Sequence, residues 1–590
     1  MPNVGRPSKG CKHCRDRKVK CDQKRPACSQ CIRAGKECHG YRDPLSMMFR
    51  NESDVVAKKA EKRYKELGQQ KTSGLTQQEP LTLDFTGDDT ISHVNDWVFT
   101  NASIVPVTGR SRYPTPESLT TELIPSIEQQ AVGFFISNFV AKPSVIPRGQ
   151  FEWVTELLAE PHVDNLLKES VNAVSLAGFG NATKNPIIMQ KARSAYVAAL
   201  RLTKDAVNNK EVALRDDTLV SVIMLGMYEN MVFQDRRSID TWAKHVAGAC
   251  ALIEMRGPEQ FKGSVARRIF HQFYGFALLV ALERGTLVHK GLHDLYEDLR
   301  PNSDYDVHGR QWTTRIVDVM HDAINLNQDK TSPPIEMLRI AMRIDRELDE
   351  VKSLMPSIWH YETMQLSEPS LHHFGNVYSI YIDPWIAQMW NNLRSCRMYL
   401  YKAVRENIKK GCAQDPPLFL PELVEPQRLA AEQVMRTTVA GIIASVPQIT
   451  GMIPFPKQSD LETRNSLASG VLERAQHQLH PPGTFLDPAQ SPGMMHLIWP
   501  LYAAGQSDMA TYNMRDWCIE MLQFLARRLG TNQAVVLAEE LKETQRAGRR
   551  SGAITNELDS VDFFFDSMMI LNGDEYITMN NTFDKGWWEK

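Results

Sequence analysis

Six of the chain's ten cysteines fall between Cys11 and Cys38 at ordered intervals. Cys11, Cys14, Cys21, Cys28, Cys31 and Cys38 spell C-x2-C-x6-C-x6-C-x2-C-x6-C, two C-x2-C-x6-C halves in tandem. Random scatter would put about half of one cysteine in such a window, so the spacing is a chemical signal. A disulfide framework is one reading of six cysteines. It suits a secreted chain, yet the first residues, MPNVGRPSKG, carry no apolar secretory segment, and lysine and arginine crowd the cluster. Thiolate ligation of a metal is the better reading. Zinc takes four ligands in a tetrahedron. Two separate ions would need eight ligand positions, so six thiolates serve two zinc ions only if two sulfurs are shared.

This stretch resembles the fungal binuclear zinc cluster (Zn2Cys6) DNA-binding family over the whole motif. The resemblance implies two Zn²⁺ as cofactors, with the first and fourth cysteines, Cys11 and Cys28, bridging them. Cys14 and Cys21 would complete one site, and Cys31 and Cys38 the other. Pro26 stands where that family carries a loop proline.

The residues between the ligands indicate what such a core would be for. Residues 1–42 hold twelve basic side chains against three acidic ones, Asp16, Asp22 and Glu37. With six thiolates and two zinc ions added, the module carries about +7. That is a phosphate-seeking surface on a unit too small for a hydrophobic core, so the metals must hold it together. Arg15 to Lys20 reads as a short helical turn whose start Cys11 and Cys14 fix. A helix end of this kind enters a major groove, where Arg or Lys reads guanine O6 and N7. By the resemblance, Arg17 and Lys18 read bases, while Arg15 and Lys20 hold phosphates. CGG-type triplets in double-stranded DNA are the implied target. The alternative from another class is a scaffold or interaction protein with a purely structural zinc cluster. The basic stretch Arg15 to Lys20 argues against it, because a structural cluster has no need of one.

Over the full 590 residues the formal net charge is only −2, so the basicity is local. With 42% apolar residues the chain is long enough for a sizeable core besides the cluster. No apolar run approaches the length of a membrane span, and Phe276 to Leu282 is a short run of the core kind. The other cysteines, Cys250, Cys396, Cys412 and Cys518, read as buried thiols. A nuclear location is the expectation.

Residues 1–42 form the DNA-binding unit. Residues 43–67 read as a short helix capped by Asn51, long enough for about two heptads and suited to either homodimerisation or docking. Residues 68–125, rich in Gln, Thr, Ser, Pro and Gly, read as a partly disordered linker. Within it, PLTLDFTGDDTISHVNDWVF mixes acids with aromatics, a composition that suits coactivator contact or packing on the body.

Residues 126–550 read as a large all-α domain. Ser126 and Gln129 make a capping box ahead of the apolar face Ile127, Ala131, Phe134, Phe135 and Phe139. Asp240 is placed as the cap of a helix that Gly257 and Pro258 stop, and Asp383 with Pro384 opens another. Leu338, Met342 and Leu348 mark a further helix, and no comparable strand pattern is evident. EQQAVGFFISNFV, TWAKHVAGACALIEMRG, WIAQMWNNLRSCRMYL and IWPLYAAG resemble the fungal-specific transcription factor domain found behind zinc clusters. That likeness implies a regulatory helical domain, and its size leaves room for an effector pocket. Relatives in that family include regulators of sterol uptake and of secondary-metabolite gene clusters. The resemblance therefore implies control, at RNA polymerase II genes, of such a cluster or of another metabolic pathway.

Residues 551–590 carry eight acids against two lysines, with Phe563, Phe564, Phe565, Trp587 and Trp588 among them. This acidic and aromatic tail has the composition of an activation segment that recruits coactivators; the duller reading is a last helix whose phenylalanines plug the core. Enzyme motifs are missing. His289/His293, His477/His480 and His372/His373 lack the glutamate of an H-E-x-x-H site and read as core or surface histidines. GFG at Gly178 to Gly180 lacks the rest of a dinucleotide loop, and neither a P-loop nor G-x-S-x-G occurs.

Overall fold

The computed structural model describes residues 11–38 except 18, 23, 25, 26 and 37. It also describes 125–551 except 142–149, 236, 300–309, 457–467, 469–470, 473–477 and 488–492. The helix expected at 43–67, the linker before residue 125 and the tail beyond Ser551 lie outside them. The chain divides into two compact units, Met1–Pro114 and Thr115–Lys590.

In the first unit two one-turn helices, α1 (Lys12–Asp16) and α2 (Ser29–Arg33), pack on each other around the cysteines. In the second unit helices follow one another through most of the chain. They run α3 (Ile127–Phe139), α4 (Glu152–Leu158), α5 (Asn165–Ala182), α6 (Pro186–Asn208), α7 (Lys210–Ala213), α8 (Asp216–Val232) and α9 (Ser238–Arg256). Then come α10 (Ser264–Arg284), α11 (Lys290–Leu299), α12 (Arg310–Gln328), α13 (Pro334–Ser353), α14 (Pro384–Cys412) and α15 (Pro421–Ile449). The series ends with α16 (Gly493–Gln506), α17 (Tyr512–Leu529) and α18 (Asn532–Ser551). The fold is thus a small cysteine-rich unit and a large, mostly helical one.

Caps set several of these boundaries. At α3 the Ser126 hydroxyl accepts from the Gln129 amide at 3.2 Å while the Gln129 side chain accepts from the Ser126 amide at 2.9 Å. Asp383 accepts from the Trp385 amide at 2.8 Å and starts α14 with Pro384 in its first turn. Helix α9 corrects the sequence reading. It begins at Ser238, two residues before Asp240, because the Ser238 hydroxyl takes the Gln234 amide and turns the chain earlier. It ends at Gly257, whose φ of 60° suits a glycine.

A hairpin, β1 (Glu362–Gln365) paired antiparallel with β2 (Val377–Ile380), is the second departure. Each strand has four residues and β2 is buried throughout, so no alternation marks it. Gln448 of α15 bonds both backbone groups of Tyr381, just beyond β2, at 2.7 and 3.1 Å. Cys250, Cys396 and Cys518 are buried as expected, whereas Cys412, in the last turn of α14, is exposed. The Gly178 to Gly180 stretch lies inside α5, where it serves packing. A side chain at Gly530, whose φ is +65°, would sit 1.9 Å from the Gly178 carbonyl oxygen.

His373 lies in a turn before β2, buried, with Nε2 bonded to the Val377 carbonyl at 2.8 Å. Burial pushes its pKa down to about 4. In the unfolded chain this imidazole takes up its proton near pH 6.5, whereas the folded site stays neutral until about pH 4. Stability is therefore lost progressively as pH falls from 6.5 toward 4. His373→Gln should lower the melting temperature at pH 7 and flatten its fall between pH 6.5 and 5, as differential scanning calorimetry would show.

Candidate metal centre and nucleic-acid interface

The two halves of the cysteine motif fold alike. Each begins at a buried cysteine, Cys11 or Cys28, which leads into a one-turn helix holding the second, Cys14 or Cys31. Each then runs on to a half-buried third, Cys21 or Cys38. Cys28 caps α2, its sulfur accepting from the Cys31 amide at 3.4 Å. The Val19 amide returns to the Cys14 carbonyl at 2.9 Å and closes α1. Asp22 ties the halves together. Its carboxylate accepts from the Ser29 hydroxyl at 2.5 Å and the Ser29 amide at 3.1 Å, and these bonds hold its pKa below the usual carboxylate range. Sequence reading counted Asp22 only as a charge, although a serine directly after Cys28 could have signalled a helix start in need of a partner.

The sulfurs converge without forming disulfides. Cys11 and Cys28 are 3.7 Å apart, Cys11 and Cys31 3.6 Å, and Cys14 and Cys28 3.6 Å. Two quartets result, Cys11, Cys14, Cys21 and Cys28 and then Cys11, Cys28, Cys31 and Cys38, each with all four sulfurs within 4.8 Å of one another. Cys11 and Cys28 belong to both. Burial and the neighbouring sulfurs push the Cys14 thiol up to about 12 and raise Cys31 as well, while burial raises Cys28 against the bonds it accepts. Thiolates this crowded need compensating cations, and an all-sulfur set sharing two members fits a pair of zinc ions.

The symmetry of the frame is not a symmetry of charge. Between Cys11 and Cys21 stand Lys12, Arg15, Arg17, Lys18 and Lys20 against Asp16; between Cys28 and Cys38 stand Arg33 and Lys36 against Glu37. Of the residues singled out for DNA, Arg15 lies on α1, while Arg17 and Lys20 are exposed beyond its end. Lys18 lies outside the described residues. The helix is earlier and shorter than the Arg15–Lys20 turn read from sequence. It starts at Lys12, directly after Cys11, and the Cys14–Val19 bond stops it at Asp16.

The helical unit has a cleft of 1220 Å³ beside α14, α15 and α16. The ions lining it largely neutralise one another, Arg405 pairing with Asp508 and Glu432, and Arg428 with Glu432. Its lining does not define a ligand class. Among the histidines, His289 contacts Glu254, and His293 stacks on His321 with ring centroids 3.9 Å apart. Among the described residues, no helix is long and apolar enough to cross a membrane.

Residues 9–47 match the model of the fungal Zn(2)-Cys(6) binuclear cluster domain, and residues 134–430 that of the fungal specific transcription factor domain. The chain belongs to the family of fungal transcription factors that join these two domains, and its cluster domain binds two zinc ions. It is similar to an uncharacterized protein of Emericella nidulans, 25% identical over 31% of this chain, and spans only 38% of that relative's length. It is also similar to transcription factor dbaG of the same organism, 20% identical over 70% of this chain and 91% of the relative. No solved structure matches it. The protein is a transcription regulator.

Proposed function

We propose that this regulator acts in the nucleus at RNA polymerase II promoters of a metabolic pathway and reads CGG-type triplets through the first half of its cluster. The uneven charge of two otherwise matched halves carries this reading. A purely structural cluster has no use for five cations concentrated on one half. Cys11 and Cys28 would be shared by the two zinc ions, Cys14 and Cys21 would complete one site, and Cys31 and Cys38 the other. Zinc supplies the cross-link that orders a unit without a hydrophobic core. The chain's own residues do the rest. Arg17 and Lys18, which follow helix α1 in sequence, reach base edges, while Arg15 and Lys20 hold phosphates. The acidic tail offers its phenylalanines to coactivators. No catalytic role forms part of this reading.

Base readers and phosphate holders separate experimentally. In the full-length protein Arg17→Ala and Lys18→Ala should each cost about 1–3 kcal/mol on a CGG duplex and little on a scrambled one. Lys20→Ala should weaken both duplexes alike and reduce the slope of log K against log salt by about one. Equal losses on both duplexes from all three substitutions would refute base reading by this segment.

A further inference from the structure

Helix α6 lies at the surface of the second unit with an unusual outer face. Ile188, Ala192, Ala199 and Ala206 recur at helical steps and are buried, in a helix that packs against α5 and α8. The opposite side of such a helix is normally polar. Here Val197 is 45% exposed, Leu200 37% and Val207 45%. Residues 193, 197, 200, 204 and 207 follow three- and four-residue steps and so share one face. Exposed Arg193, Arg201 and Lys204 flank the apolar residues, and among the described residues none of these cations is ion-paired. A stripe of aliphatic side chains edged by free cations calls for a partner that is both acidic and apolar.

The chain carries such a partner. After Ser551, the last residue of α18, come 39 residues with eight carboxylates and two lysines. Their richest stretch is Glu557 to Asp566, where Glu557, Asp559, Asp562 and Asp566 surround Phe563, Phe564 and Phe565. Phe564 is the thirteenth residue after Ser551, and thirteen residues of chain span at most about 40 Å. We infer that this segment docks on the outer face of α6 of the same chain. The phenylalanines cover Val197, Leu200 and Val207, and the carboxylates meet Arg193, Arg201 and Lys204. The contact withholds from coactivators the side chains offered to them above. That consequence rests on the proposed activating role of the tail; the docking itself does not.

The test uses full-length protein with a benzophenone amino acid replacing Val197, prepared as a mixture of ¹⁴N- and ¹⁵N-labelled chains. After irradiation, mass spectrometry should find cross-links to peptides of 552–590 bearing the same isotope as α6. Arg193→Glu, Arg201→Glu and Lys204→Glu together should cut their yield by roughly tenfold, since several weak surface pairs sum to about that factor. All three positions are exposed, so the helical circular dichroism signal and zinc content should stay unchanged. Mixed-isotope cross-links to a second copy, cross-links to other segments only, or a yield indifferent to charge reversal would each overturn the inference. A reporter assay on the tail fused to a neutral DNA-binding domain tests recruitment separately, so the two can fail independently.

Discussion

Cys28→Ser strips zinc from both sites of the cluster, whereas Cys38→Ser spares one. Cys28 belongs to both sulfur quartets, so its loss leaves each with three sulfurs. Cys38 belongs to one. A serine hydroxyl is a far poorer zinc ligand than a thiolate. Among the described residues the unit around α1 and α2 has no apolar core apart from its cysteines, so metal binding and folding are there the same free energy. Atomic emission should find two ions per chain in the wild type, about one in Cys38→Ser and close to none in Cys28→Ser. DNA affinity on the specific duplex should fall by about 100-fold or more in Cys28→Ser. The thermal transition of the helical unit should not move. One ion retained by Cys28→Ser would mean that the quartets do not share that sulfur.

Asp345→Ala is the substitution expected to damage the helical unit most. Arg397 of α14 is buried and donates from Nε to Asp345 at 2.8 Å and from Nη2 to Asp349 at 2.7 Å. The Tyr401 hydroxyl donates to the second Asp345 oxygen at 3.0 Å. Removing Asp345 takes from both donors a partner that is itself buried, while the charge that remains on Asp349 is partly solvated. Breaking a buried pair in this way costs about 3–5 kcal/mol. For a helical unit of this size that is a fall in melting temperature on the order of 5 °C. Asp349→Ala should cost less than half as much, because the Arg397–Asp345–Tyr401 arrangement survives. Equal effects would show that Asp345 holds no special share of the network.

Much of this was legible because it is local. The contiguous cysteine motif carried a family resemblance that implied which sulfurs are shared, and Ser126, Gln129 and Asp383 cap helices through residues two or three positions away. Where the reading failed, the deciding partner was remote or the element too short to show a period. The extent of α1 is set by the bond from Val19 to Cys14 rather than by the charge run, and α9 starts at Ser238, whose hydroxyl accepts from the Gln234 amide ahead of the helix, rather than at a cap on Asp240. Strand β2 is buried on both faces, which erases alternation. The Asp22–Ser29 bond, the ion pairs of Arg397 and the sandwiching of Gly178 against Gly530 join positions that no periodicity links. Cys412 looked like any other core thiol because its exposure depends on where α14 ends.

The central claim is that a zinc-ordered basic segment reads DNA sequence. Its most direct test is fluorescence anisotropy of the full-length protein on CGG-containing and scrambled duplexes across a salt series, with and without a zinc chelator. The account predicts tighter binding to the CGG duplex, a steep loss of affinity with salt and collapse of the preference on chelation. Equal, weak binding to both duplexes that a chelator leaves unchanged would contradict it and favour a scaffold whose cluster is only structural.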